Sequence, residues 1–426
     1  MDHRIWVIGG AENGTAEVPV YRADSYICGA AIHAGAISDR SGGCGIVTLS
    51  TGHEKYGGSK AHDIETMDFE SSFPLSFTVA KAKESSSRCF DIIWTPFTIS
   101  VLLTVGLSML ATSAPVFFTS VFTIVFFQTA LITDAPNFEN YLRVVQTAFG
   151  RFLPAAFVGF AIYKFCARQT LKGLEAQMEK TVLWVGGCWF GSVDNYTLDR
   201  LPLSRLTPRD LREPGAIIVL LCVVGAIIAA AGTQAWSFWR DGRFWKYLSI
   251  YGIMGLSIIL LTLAPGLNLR IHHYILALLL LPGTAIQTRP SLLFQGFLIG
   301  LFINGVARWG FASIIETNRF LAREGQLGSE MPSFLGPIIT NETHISFEFP
   351  SLSSAWDGIS MMVNDVERTR LGRTAAQTVF RWVRERSEDT FFRFAYLKSG
   401  YVDGPWVGDY TKPGTWGANG TWTMTT

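Results

Sequence analysis

Three residues with titratable or hydrogen-bonding side chains, His272, His273 and Asn304, stand within long apolar stretches of the sequence. Imidazole and carboxamide groups can carry a proton or bind a polar ligand, and burying them in hydrocarbon costs free energy. Because His272 and His273 are neighbours, only one of them can face the interior of a helix bundle. For Asn304, a hydrogen bond between helices is the alternative to a ligand or proton path. Arg308, near a helix end, is predicted to extend its charge to the interface.

A fourth candidate ligand-binding residue, His33, lies in a polar N-terminal segment. Its structural alternative is a ring that packs on its own helix and bonds a backbone carbonyl. The sequence contains no CxxC pair, and it contains no G-x-S-x-G, H-E-x-x-H or P-loop motif. We therefore predict no catalytic residue, no metal site and no cofactor, and we expect the protein not to be an enzyme.

Composition indicates a membrane protein. Hydrophobic residues make up 49% of the chain and charged residues 16%, and the mean hydropathy is +0.27. A soluble domain of average composition carries about 25% charged residues. The net charge is +1 and no basic run stands out, so nucleic acid is not an expected partner, whereas the lipid bilayer is.

The apolar stretches between residues 91 and 310 predict a polytopic α-helical membrane domain. Seven runs are candidate spans: 92–110, 115–132, 153–166, 216–235, 247–263, 269–281 and 292–309. An eighth run, 181–190, is apolar but has about half the length needed to cross a bilayer of ~30 Å. The prediction is therefore seven or eight spans.

Polar flanks enclose this block. Residues 1–90 show short apolar stretches, turns and one helical segment, which predicts a small α+β domain with a single central helix. A linker is predicted over 311–343. Residues 344–426 carry alternating or β-branched and aromatic runs at 345–349, 358–363, 378–383 and 390–396, which predict a β-sandwich-like domain.

The first flank resembles the LCCL domain over a core of about residues 18–80. The likeness rests on a Ser-x-Ile-Cys-x-Ala-Ala-x-His-Ala-Gly pattern from Ser25 to Gly35, a following Gly-Gly pair, Tyr56-Gly-Gly-Ser and the Ser72–Phe77 run. The resemblance implies an exoplasmic module with disulfides. In that family the helix cysteine pairs with one upstream, but none precedes Cys28 here, so Cys28 and Cys44 are the disulfide candidates.

The segments 265–284, 287–296 and 300–310 are similar to the membrane core of fungal LCCL-domain multi-pass membrane proteins. This resemblance implies an integral membrane protein of the secretory pathway or plasma membrane, with its LCCL domain exoplasmic. Such proteins begin with a cytosolic tail, one span and a cysteine-bearing stretch. We therefore expect the chain to be truncated at its N-terminus.

The expected function is non-enzymatic: a polytopic membrane protein presents an LCCL domain that binds a carbohydrate, lipid or protein ligand. The alternative is a transporter or channel that uses the polar positions of the membrane block. Four sequons make candidate glycosylation sites at Asn13, Asn195, Asn341 and Asn419. Eight spans would make both flanks exoplasmic and expose all four sequons, whereas seven would place the C-terminal domain in the cytosol.

Overall fold

The structure is a computed structural model of the 426-residue chain. It describes residues 6–11, 18–39, 42–51, 53, 55–82, 93–136, 140–198, 215–264, 267–317, 328–334, 336–372, 379–384, 387–399 and 406–424. The chain divides into two compact units. The first combines Met1–Phe90 with Ala322–Thr426, and the second is Asp91–Leu321. The two predicted polar flanks thus lie in one unit, and Asn13 lies outside the described residues.

The N-terminal part of the first unit is a small sheet with one helix. In chain order its elements are β1 (Val20–Arg22), α1 (Ile27–His33), β2 (Gly45–Thr51), β3 (Lys60–Ala61), β4 (Ile64–Glu65) and β5 (Leu75–Lys81). Strand β5 pairs antiparallel with β1 on one side and β2 on the other. The small side chains of Ala30 and Ala31 let α1 lie close to the sheet, where they share a buried core with Tyr21, Phe77 and Val79.

The second unit is helical. Its helices and strands are α2 (Trp94–Leu110), α3 (Ala114–Gln128), α4 (Tyr141–Ile162), α5 (Arg168–Leu171), α6 (Gln177–Glu179), α7 (Gly186–Ser192), α8 (Asp194–Thr197), α9 (Ala216–Arg240), α10 (Phe244–Thr262), β6 (Leu267–Leu269), α11 (His273–Leu280), α12 (Arg289–Trp309) and β7 (Ile315–Thr317). Single π-helical turns prolong α3 to Thr133 and join α4 to α5. Another π-helical turn, Lys180–Val185, leads directly into α7.

Five helices in the described part of the chain are long and apolar enough to cross a membrane. They are Ala114–Thr133, Tyr141–Leu171, Ile217–Arg240, Phe244–Thr262 and Arg289–Trp309. Two further predicted spans are shorter apolar helices, Trp94–Leu110 and His273–Thr284. The run predicted to begin at residue 269 becomes helical only at His273, because β6 pairs with β7 and holds the preceding backbone extended.

The C-terminal part of the first unit is rich in strands, as predicted. Its strands are β8 (Pro337–Ile339), β9 (His344–Glu348), β10 (Gly358–Val363), β11 (Val366–Gly372), β12 (Val379–Val383), β13 (Thr390–Lys398), β14 (Trp406–Val407), β15 (Gly414–Trp416) and β16 (Trp422–Met424). One sheet has the order β11-β10-β13-β15-β16 with β14 beside β13, and the other has the order β12-β9-β8. The two sheets share a core in which the Phe347 ring lies 4.9 Å from the rings of Phe392 and Phe394.

The predicted linker 311–343 contains two strands, β7 and β8. Strand β7 pairs with β6 of the helical unit, and β8 pairs with β9 of the C-terminal part. Its apolar residues Ile338 and Ile339 are half-buried or exposed, so the segment lacked the alternation that marks a buried strand.

Candidate functional site

The predicted ligand residue His33 is enclosed at the end of α1, where its side chain is 3% exposed. The Tyr21 hydroxyl lies 2.8 Å from Nδ1, and the Ser59 hydroxyl lies 3.2 Å from Nε2 and donates to the Gly10 carbonyl at 3.0 Å. This series of hydrogen bonds fits a neutral imidazole whose Nδ1 accepts a hydrogen bond from Tyr21 and whose Nε2 donates one to Ser59. Burial lowers the pKa of His33, and nearby His62 lowers it further.

A side chain added at Gly10 would collide with the rings of Tyr21 and His33, so this glycine lets the backbone cover the histidine. Both ring nitrogens of His33 therefore have protein partners. The geometry is that of a structural core histidine rather than an open ligand site. No group of three or more His, Cys, Asp or Glu residues that could hold a metal occurs in the portion of the chain that the structure describes.

Arg22, which the sequence did not single out, is the most deeply buried cation among the described residues of the first unit, at 1% exposure. Its Nε and Nη2 each donate to Asp24 at 2.8 Å, and its Nη1 donates to Asp365 at 3.0 Å. The guanidinium also lies 4.5 Å and 4.7 Å from the ring centroids of Phe69 and Phe73. Asp365 belongs to the turn between β10 and β11, so Arg22 joins the two parts of the unit.

Three more contacts connect the same two parts. Ser71 Oγ donates to the Asp389 carbonyl at 2.6 Å, Ser72 Oγ donates to Glu388, and the rings of Phe69 and Phe391 lie 5.8 Å apart. We call this set the Arg22 interface; its residues are Arg22, Phe69, Ser71 and Ser72 on one side and Asp365, Glu388, Asp389 and Phe391 on the other. It combines a buried ion pair, hydrogen bonds and ring packing.

The cysteines do not pair as predicted. Cys28 is a free, exposed thiol on α1. Cys44 is disulfide-bonded, but not to Cys28. The prediction of a Cys28–Cys44 bridge is therefore wrong, because Cys28 lies on the exposed face of α1 while the small residues after it face the sheet.

Asn304 lies near the C-terminal end of α12 and is 3% exposed. Its Nδ2 donates to Asp134 at 3.1 Å and to the Ser192 carbonyl at 3.0 Å. Arg308 lies 3.5 Å from the same aspartate, and its side chain is 18% exposed. The helical unit has two ends. The end that contains Asp134, Ser192, Asp194, Asn304 and Arg308 is called the second end, and the opposite one the first end. Asn304 makes the interhelical hydrogen bonds of a structural residue.

The two adjacent histidines also lie at the second end. His273 Nδ1 lies 3.5 Å from Asp194, while its side chain is 64% exposed. His272 stacks on Tyr274 at 6.1 Å, and its buried Nε2 has no hydrogen-bond partner in the described structure. The aspartates that contact Asn304 and His273 are different residues. Among the observed contacts, no residue therefore joins His272, His273 and Asn304 into the predicted proton or ligand path.

The opposite, first end of the helical unit gathers charged residues from separate connections. Lys180 Nζ donates to the Ala111 carbonyl at 3.3 Å, in the turn between α2 and α3, and lies 4.7 Å from the Phe117 ring. Arg289 lies 3.0 Å from Glu179, joining the start of α12 to the residue before Lys180. The helical residues 180–192 consequently begin at the first end and finish at Ser192 in the second.

These helical residues pack closely on α12. Side chains added at Gly187 or Gly191 would collide with the α12 backbone, and side chains at Gly296 or Gly300 would collide with the carbonyls of Trp184 or Cys188. The two Gly-xxx-Gly pairs therefore face each other. Beside them Trp184 Nε1 donates to Gln295 Oε1 at 3.0 Å.

The sequons differ in accessibility. Asn195 is half-buried and its Nδ2 donates to the Thr133 carbonyl at 2.9 Å. Asn341 and Asn419 are exposed at turns, and each Oδ1 accepts hydrogen bonds from the backbone and hydroxyl of the threonine two residues later. Asn341 and Asn419 are thus the accessible candidates in the described structure.

Comparisons with known proteins agree with the N-terminal motif. The chain is 34% identical over 383 residues to the uncharacterized protein YIL067C of Saccharomyces cerevisiae. The alignment covers 84% of this chain, which spans 56% of the length of that relative. No solved structure matches the chain. The family model of the LCCL domain matches residues 3–74. The enclosed His33 and helix α1 therefore belong to an LCCL domain at the N-terminus of the chain.

Proposed function

We propose that this chain is an integral membrane protein that presents its LCCL domain at the exoplasmic face to bind a ligand or partner, without enzymatic activity. The observation that carries the membrane location is the exposure of α9 and α10. Only 6% of the apolar window of each helix is buried, whereas 78% of that of α12 is. The mean hydropathy of the two windows is 2.4 and 1.6.

The exposed side chains on these two helices are large and aliphatic. Ile218, Leu221 and Ile228 on α9 and Ile253 and Leu256 on α10 are 58% to 67% exposed. Burying one such side chain gains about 1.5–3 kcal/mol, so water around both helices would be strongly unfavourable. Hydrocarbon removes this cost. The 25 residues of α9 extend about 37 Å, enough for a hydrocarbon core of ~30 Å.

The exoplasmic orientation is supported by three features. A disulfide at Cys44 would form in an oxidising compartment. The sequons at Asn341 and Asn419 are exposed in the same compact unit as the LCCL domain. Among the described residues, basic side chains collect in the connections at the first end, where the positive-inside rule would place the cytosol: Lys172, Lys180, Arg240, Arg243, Lys246 and Arg289. Arg200, Arg205, Arg209 and Arg212, between α8 and α9 in the sequence, act against this bias.

A binding role is supported by the edge of the LCCL sheet. Strand β2 pairs only with β5 among the described strands, and its Ile46, Val47 and Leu49 are 54%, 42% and 69% exposed. An edge strand with exposed aliphatic side chains is a surface for another chain or an apolar ligand. The proposed ligands are a carbohydrate, a lipid or a protein at the membrane surface.

The membrane location is tested by extracting membranes from expressing yeast cells with alkaline carbonate. We expect the chain to remain in the membrane pellet and to require detergent for release; recovery in the carbonate supernatant would contradict the proposal. Binding is tested with the full chain in nanodiscs against wall glucan, chitin oligosaccharides and phospholipid vesicles. Leu49→Asp should weaken binding, while Lys55→Asp, a surface change away from β2, should not.

A further inference from the structure

We infer that the LCCL domain and the C-terminal strand-rich region lie on the same side of the membrane, so the chain between them crosses an even number of times and residues 180–192 form one of eight crossings. This inference rests on the proposed membrane location, but not on which side is exoplasmic. It also assigns the Arg22 interface as the surface that holds the two regions together.

The Arg22 interface requires both regions in one compartment. Its hydrogen-bonded partners are 316 to 343 residues apart in the sequence, and the whole helical unit lies between them in the sequence. Yet Arg22 reaches Asp365 at 3.0 Å and Ser71 reaches Asp389 at 2.6 Å. Groups separated by a hydrocarbon core of ~30 Å cannot form such bonds. An odd number of crossings would therefore break every contact of this interface.

Separating the two regions at the Arg22 interface would also be energetically unfavourable. Arg22 is 1% exposed, and Ser71 is fully buried. A buried guanidinium is stable only when it is paired and hydrogen-bonded, and here Asp365 supplies one of its two carboxylate partners. The LCCL domain alone would also leave the Phe69 ring without its packing against Phe391. The strand-rich region is thus the partner that fits this surface.

The helical unit supports the same parity independently. Lys180 contacts the turn between α2 and α3 at the first end, and Ser192 contacts Asn304 at the second end. Residues 180–192 therefore traverse the unit between α5 and α9. Counting this segment, eight helices in the described part of the unit pass from end to end: α2, α3, α4, residues 180–192, α9, α10, α11 and α12.

The short length of this crossing is compatible with a bilayer because protein packs against most of it, while Val182 and Phe190 are exposed. Its six π-helical and seven α-helical residues extend about 20 Å. Trp184, Val185 and Cys188 are at most 1% exposed. A backbone that is buried in protein need not match the hydrocarbon thickness. Hydropathy alone left this segment undecided, whereas its contacts at both ends favour a crossing.

The topology is tested with the full chain carrying a different epitope at each terminus, translated into sealed microsomes and treated with external protease. We expect both epitopes to share one fate. If both are protected, and Asn341 and Asn419 acquire glycans that endoglycosidase removes, the exoplasmic proposal is supported as well. If both are digested, the even number of crossings stands and the exoplasmic orientation fails. One protected and one digested epitope would overturn the inference.

The interface is tested by hydrogen–deuterium exchange of the detergent-purified full chain. Arg22→Ala should raise exchange at least tenfold in both residues 69–73 and residues 388–391. Asp365→Asn, a milder change that keeps the Arg22–Asp24 pair, should raise exchange in the same two segments to a smaller extent. Lys60→Ala changes an exposed residue of β3 and is the matched control. Unchanged protection of residues 388–391 in both Arg22 and Asp365 variants would refute the assigned interface.

Discussion

Replacing Gly300 by alanine should destabilise the helical unit, because this glycine sets how closely α12 approaches residues 180–192. A Cβ at Gly300 would lie closer than 3.0 Å to the Cys188 carbonyl oxygen. That oxygen belongs to a helical backbone and cannot rotate away as a flexible side chain could. The same added methyl group at Gly225 in α9 would meet no atom within 4 Å. The two glycines therefore give a matched pair of substitutions within one helical unit.

Opposing terms set the size of the effect. Alanine is favoured over glycine in a helix interior by about 1 kcal/mol. Overpacking a close contact costs about 1–3 kcal/mol, and the rigid backbone neighbour of Gly300 puts this site near 3 kcal/mol. The net expectation for Gly300→Ala is a loss of about 2 kcal/mol. For Gly225→Ala only the helix term remains, so we expect a gain of up to about 1 kcal/mol.

Thermal unfolding of the detergent-purified chain, followed by tryptophan fluorescence, measures this difference. A loss of 2 kcal/mol in a unit of this size corresponds to a midpoint about 4–8 °C lower. Gly225→Ala should unfold at or above the wild-type midpoint. If Gly300→Ala matched Gly225→Ala, the close contact between α12 and residues 180–192 would not exist, and the crossing of that segment would lose its packing argument.

Three further outcomes follow from the same contacts. Arg22→Ala should cost about 2–4 kcal/mol of stability because it leaves two carboxylates without their buried cation, whereas Lys55→Ala, which removes only an exposed ion pair, should cost clearly less; chemical unfolding of the full chain compares them. Burial lowers the pKa of His33 from 6.5, so the folded state favours the neutral ring. The stability it contributes is present above pH 6.5 and falls as the pH drops below that value, and His33→Gln should reduce the drop in unfolding midpoint between pH 7.5 and 5.5. Asn304→Ala should lower stability by about 0.6–1.7 kcal/mol, the range for interhelical hydrogen bonds in membranes, and ion flux in reconstituted vesicles that depended on Asn304 would instead favour a channel.

Local patterns were enough to predict the strand-rich region. Strands predicted at 345–349 and 358–363 occur at His344–Glu348 and Gly358–Val363, because alternation of apolar and polar residues reports which face meets a core. The LCCL motif likewise placed α1, since its small residues and terminal glycine fit a short helix packed on a sheet.

Contacts between distant residues could not be predicted in this way. Arg22 precedes the LCCL helix motif by three residues, but nothing near it in the sequence indicates a partner 343 residues away. Arg308 was predicted to extend its charge to the interface because it stands near a helix end, but its ion pair with Asp134 was not predicted. Charge pairing of this kind depends on which helices become neighbours, and hydropathy does not carry that information.

Residues 180–192 show why a length criterion fails for a helix that packs against other helices over most of its surface. The criterion of about 20 residues assumes that lipid surrounds the helix. A helix in lipid must span the whole hydrocarbon core, because backbone groups outside a helix would lack hydrogen-bond partners there. Here α12 surrounds one face so closely that only glycine fits at Gly187 and Gly191. The segment can therefore be shorter than the bilayer is thick and still extend from Lys180 at the first end to Ser192 at the second end. Because the Arg22 interface demands an even number of crossings, and the other helices supply seven, this segment is the one that completes the count.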